Sequence, residues 1–130
     1  MRAITRDMIK LYNLDHICFM GYKLNKNNAT YHHIVKKEDG GLLTIDNGAV
    51  LSDVAHSYLH IIEYKDIETY FALNKIFEII NKQRSKPTKE QYSIINALLM
   101  MFEEEHKNDK TSKGKTLIKH TYLEREIRFL

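Results

Sequence analysis

Glycine is concentrated in one stretch of this chain, and that asymmetry limits its fold more than any other feature. Four of the five glycines (Gly21, Gly40, Gly41 and Gly48) fall between positions 21 and 48, and the single proline is Pro87. The first half must therefore turn often, which suits short strands, while helical patterns dominate the second. Residues 4–14 place Ile4, Met8, Leu11 and Tyr12 at helical spacing, with Thr5 as the expected cap. Residues 16–24 read as a turn or short strand, and 23–29 as a loop. Residues 29–35 (ATYHHIV) are β-branched and aromatic and predict a strand. Turns follow at Lys36–Gly41 and at Asp46-Asn47-Gly48, with short apolar pieces at 42–45 and 49–51. Ser52 or Asp53 then caps a helix to about Ile62.

Beyond residue 65 the pattern is amphipathic. Residues 66–84 put Ile67, Tyr70, Phe71, Phe77 and Ile80 on one face, with Asp66 at the start. Residues 88–106 put Tyr92, Ile95, Leu98, Leu99 and Phe102 on another, widened by Ile94, Ala97, Met100 and Met101. So broad an apolar surface is expected to be buried or packed on a partner, a homodimer through 88–106 included. Residues 107–116 are polar and basic and read as a loop. The tail 117–130 fits helix or strand, with helix preferred.

At 130 residues the chain is expected to be a single domain, 1–130. The lone cysteine, Cys18, excludes an intramolecular disulfide and a cysteine-only zinc site. No apolar run is long enough for a bilayer, and Arg2, Arg6, Asp7 and Lys10 interrupt the N-terminus, so a cytoplasmic protein without a membrane partner is expected. A net charge of +3 permits a polyanionic partner without requiring one. What remains unusual is seven histidines.

Five residues form an ordered set: His32 and His33 on the expected strand, Asn47 in a turn, then His56 and His60 on the expected helix. A spacing of four puts His56 and His60 on one helix face, one turn apart, where both can address one ion. Neighbours on a strand face opposite ways, so His32 and His33 should do different jobs. Each piece alone is weak: Asn47 suits any Asp-Asn-Gly turn, and either strand histidine could be structural. The whole set in this order within 29 residues would arise by chance roughly one time in a thousand. His16, His106 and His120 belong to no such pattern.

The stretch YHHIVKKEDGGLLTIDNGAVLSDVAHSYLH, residues 31–60, resembles the HNH nuclease motif, the ββα-metal or His-Me finger. That resemblance implies an α+β fold: a ββα-metal core over 29–63 with additional helices in a mostly α-helical C-terminal half, 66–130. It implies His33 as general base, Asn47 as the residue that orients the base, through a ring nitrogen or the backbone, and tethers the two strands, and His32, His56 and (as in the nuclease colicins) His60 as metal ligands. The two Cys-x-x-Cys pairs of many relatives are replaced by Ile17, Met20, Ser52 and Ala55, so no structural zinc is expected. Cys18 reads instead as a small buried hydrophobe.

The implied activity is metal-dependent endonucleolytic hydrolysis of phosphodiester bonds in DNA, leaving 5′-phosphate and 3′-hydroxyl ends. One divalent ion (Mg, Mn, Ni or Zn) is the expected cofactor. Imidazoles favour zinc or nickel, and substrate phosphate oxygens suit magnesium or manganese. His33, with a reference pKa of about 6.5, is largely neutral at pH 7 and can accept a proton from water. Lys36 and Lys37 lie beside the motif and are expected to meet the nucleic-acid backbone, and 82–89 and 107–119 are basic clusters. No base-reading helix is evident, so sequence specificity is not expected. Two other readings fit the same residues. One is a non-catalytic regulator that binds nucleic acid or protein; the other is a closed structural zinc module, which needs a fourth protein ligand.

Overall fold

The computed structural model describes residues 1–116, 125 and 126. Its elements run α1 (Ala3–Leu11), β1 (Ala29–His33), a 3-10 turn (Lys37–Asp39), β2 (Gly48–Ser52), α2 (Asp53–Lys65), α3 (Ile67–Gln83) and α4 (Lys89–His106). Among the described residues, four helices thus accompany one small antiparallel sheet, an α+β arrangement. The two strands pair from Ala29 opposite Ser52 to His33 opposite Gly48.

The helix starts follow from side-chain caps. Ser52 Oγ accepts from Ala55 N at 3.1 Å, Asp66 from Thr69 N at 3.2 Å, and Thr88 from Gln91 N at 3.1 Å. Each satisfies an amide that the first helical turn leaves without a partner. Asp66 alone, with the non-helical backbone angles φ −153° and ψ 86°, separates α2 from α3. At α1 the expectation fails: Thr5 lies inside the helix, 1% exposed, and Arg2 holds the cap position without a side-chain bond. The pull of the core on this face outweighs threonine's preference for a helix end.

The core gathers around the sheet. α1 packs on both strands, α2 on both strands and α3, and α3 on β2 and α4. Phe19 joins the two halves, lying 5.6 Å from the Tyr12 ring and 5.9 Å from that of Phe77. Cys18 is fully buried, as a small hydrophobe should be. The apolar faces of α3 and α4 are narrower than their sequences imply. Ile67 and Phe71 on α3, and Ile94, Met100 and Met101 on α4, are exposed. The described contacts of these helices are made by Tyr70, Phe77, Tyr92, Ile95, Leu99 and Phe102, which are buried. Residues 42–47 form an irregular loop with Leu42 and Leu43 exposed, so the short apolar piece at 42–45 is not packed as a unit into the core. The tail expectation for 117–130 falls outside the described residues except at Arg125 and Glu126. There Glu126 N donates to Gly21 O at 2.8 Å.

No described helix is long and apolar enough to cross a membrane.

Candidate metal centre

Strand alternation separates His32 from His33. Thr30 and His32 face α2 and α3, whereas Tyr31 and His33 point the other way, their rings 4.8 Å apart and edge-on. His32 is 3% exposed, with the rings of His56, Tyr70 and Phe77 at 5.6, 6.1 and 6.1 Å. On α2, His56 and His60 stack at 4.9 Å, as the four-residue spacing predicts. Glu63 extends the same helix face, its carboxylate 3.6 Å from His60 Nδ1. These residues line an open cleft of about 310 Å³ together with Tyr31, His33, Lys36, Lys37, Glu38 and Tyr70.

Burial favours the neutral imidazole at His32, His56 and, less strongly, His33. It lowers His32 to a pKa of about 4, a fall that the Asn74 hydrogen bond only partly opposes. His56 is lowered by burial and by the neighbouring His60. His33, much less enclosed, is lowered by partial burial and then by the positive charges of Arg2 and Lys37. Neutral imidazoles with available lone pairs are what a divalent ion requires.

Hydrogen bonds identify the available nitrogens. His32 Nε2 lies 2.8 Å from Asn74 Oδ1, and His56 Nδ1 lies 2.9 Å from Thr30 Oγ1. The opposite nitrogen of each ring is left for a ligand. Two imidazoles sharing one tetrahedral ion, with metal–nitrogen distances of ~2.0–2.1 Å, have ring centres about 5 Å apart. The ring centres lie 5.6 and 4.9 Å apart, close to that value, with His56 and His60 stacked, so side-chain rotation is needed to bring the three sets of nitrogens onto one ion.

A tighter grouping lies elsewhere. Among the described residues, Asp66, Glu105 and His106 have donor atoms all within 4.8 Å of one another and could hold a metal ion. The nitrogens of His32, His56 and His60 stand further apart than that. The tighter group already has protein partners. Asp66 Oδ2 accepts from Thr69 Oγ1 at 2.6 Å, and His106 Nδ1 lies 2.8 Å from Asp109 Oδ2.

Asn47 acts on backbone and not on the His33 ring. Its Oδ1 accepts from Val35 N at 2.8 Å, and its Nδ2 donates to Val35 O and Leu42 O at 3.0 and 2.9 Å. Its own carbonyl accepts from Ile34 N at 2.8 Å. It therefore ties the chain leaving β1 to the chain entering β2. Gly41 makes this closure feasible, because a Cβ there would sit 1.8 Å from Val35 O. Lys36, at the rim of the cleft, is ion-paired with Glu63.

Thr30, Glu63, Asn74 and Arg2 were not legible as site residues. Glu63 had a signal, falling three residues after His60 on the face that His56 and His60 share. Asn74 had a weaker one, as a polar residue on the apolar face of α3 between Tyr70 and Phe77. Comparison with family models, with curated proteins and with solved structures finds no match for the chain.

Proposed function

We propose that the protein is a metal-dependent endonuclease acting on DNA, built on a ββα-metal core of the kind its sequence resembles. The observation carrying this reading is that His32, His56 and His60 line one cleft together with a more accessible His33. The hairpin-then-helix order over 29–65 supports the same core.

His32, His56 and His60 would hold one divalent ion. When bound, it supplies charge neutralisation at the scissile phosphate and the leaving oxygen. His33, neutral at pH 7, accepts the proton of the attacking water. Arg2 and Lys37 add positive charge near His33, where the attacked phosphate must sit. Asn47 holds the turn after His33 at fixed distance from the start of β2, so the base keeps its place relative to the ligands. Lys36 exchanges its Glu63 partner for a backbone phosphate when DNA enters. An open cleft with basic residues at its rim and no inserted recognition helix supports contact with the sugar–phosphate backbone rather than with bases.

A second reading, a non-catalytic binding protein on the same frame, is favoured by the exposed Ile94, Met100 and Met101 on α4, a surface suited to a partner or a second copy.

Locating the ion tests the leading reading. Crystals of the untagged protein soaked in Mn²⁺ or Ni²⁺ are expected to give an anomalous peak among His32, His56 and His60. A peak only at Asp66, Glu105 and His106 would move the metal centre out of the cleft and contradict it.

A further inference from the structure

Two asparagines are buried on α3, Asn74 at 5% and Asn81 at 1% exposure, two helical turns apart on one face. Both reach the strand hairpin. Asn81 donates to Asp46 O and Gly48 O at 3.1 and 2.7 Å, the carbonyls on either side of Asn47, and accepts from Tyr12 Oη at 2.7 Å. Asn74 reaches His32. A helix outside the hairpin-and-helix unit thus fixes both strands at the residues that matter.

We infer that α3 is part of the metal centre, with Asn74 a positioning residue that fixes the tautomer of His32 so that Nδ1 is the atom offered to a divalent cation. This rests on the reading of His32 as a ligand. An amide oxygen carries no proton, so the 2.8 Å contact to Nε2 requires the proton on the imidazole. A neutral imidazole has one such proton, so Nδ1 keeps its lone pair. The amide orientation decides the matter. If the NH₂ group faced the ring, Nε2 would accept, Nδ1 would be protonated, and His32 could not ligate through it.

In the structure the Asn74 oxygen, and not its NH₂ group, faces Nε2 of His32. His56 is arranged in the same manner from the strand. The single Thr30 hydroxyl proton goes to Leu51 O at 2.9 Å, so Thr30 Oγ1 can only accept from His56 Nδ1. His56 therefore presents Nε2. Two ligands are fixed in complementary tautomers by two uncharged partners, one on β1 and one on α3. Such outer partners orient metal-binding histidines and set their affinity.

The test uses the untagged full chain, Co²⁺ as probe, and the variants Asn74→Asp and Asn74→Leu, with circular dichroism confirming the fold. Asp keeps an acceptor and is expected to bind Co²⁺ within a few-fold of the parent, with the same visible spectrum. Leu is expected to lower affinity by about 10- to 100-fold and to alter the spectrum. Parent-like affinity and spectrum in Leu, or equal losses in Asp and Leu, overturn the inference. Long-range ¹⁵N–¹H spectra of the metal-free parent read the tautomer without any variant. An Nε2-protonated His32 is expected, and an Nδ1-protonated ring overturns the inference even if both variants unfold. Absence of Co²⁺ binding by the parent, with the Nε2 tautomer present, would instead remove the metal-centre reading and the ligand role with it.

Discussion

At the residue scale the two strand histidines divide the chemistry, and each carries a pH signature. His33 must be unprotonated to act as base, and its pKa is lowered by partial burial and by Arg2 and Lys37. Lowering a base's pKa extends activity toward acid. The acid limb of kcat/KM for plasmid cleavage should therefore have its midpoint below pH 6.5, and Arg2→Ala should move it upward; a midpoint above pH 7 would contradict the assignment. His32 affects stability. Its folded pKa of about 4 lies below the unfolded value of about 6.5, so the stabilising effect is present above pH 6.5 and is lost as pH falls toward 4. The full effect is on the order of 3 kcal/mol. Urea unfolding of the metal-free protein at pH 7 and pH 4.5 should show this loss, and His32→Gln should lose less over the same interval. Equal losses would mean that His32 is not the buried neutral group described here. The opposite facing of His32 and His33 was legible from strand alternation. Their partners were not, because the contact from His32 to Asn74 spans 42 residues and depends on how α3 docks.

At the scale of elements, local chemistry was legible wherever a cap acts on its own helix. Ser52, Asp66 and Thr88 lie where the sequence places helix starts, because each bond is made within three residues. Thr5 misled because burial against the sheet decided its place, and no pattern in residues 4–14 reports that. The exposed sides of α3 and α4 misled for a related reason: periodicity shows which side of a helix is apolar but not how much of it a neighbour covers. The buried asparagines carry the α3–hairpin contact. Asn81→Ala would leave Tyr12 Oη and Gly48 O buried without their partner. It should cost about 2–4 kcal/mol in urea unfolding. A change under 0.5 kcal/mol would show that water replaces the side chain and that α3 does not fix the Asn47 turn.

At the scale of the molecule, one buried network joins Arg125 to α2 and α4. Arg125 is fully buried and pairs with Glu103 of α4, with Nη2 2.9 Å from Oε1. Tyr58 Oη also donates to Glu103, at 2.8 Å. Burial and the nearby carboxylate push the Tyr58 pKa up. Arg125→Ala would strand the Glu103 carboxylate and should destabilise the fold by about 3–5 kcal/mol, read as a lowered midpoint in denaturant. An unchanged midpoint would show that Arg125 does not hold Glu103 in the folded state. None of this was legible in the ambiguous pattern of 117–130. The central claim concerns the cleft and is tested most directly by nicking of supercoiled plasmid with Mg²⁺, Mn²⁺, Ni²⁺ or Zn²⁺, comparing the parent with His33→Ala after confirming that both bind metal equally. The account predicts nicking by the parent with at least one metal and a loss of roughly 10²–10⁴-fold in the variant. No cleavage with any metal, or full activity in His33→Ala, would contradict it.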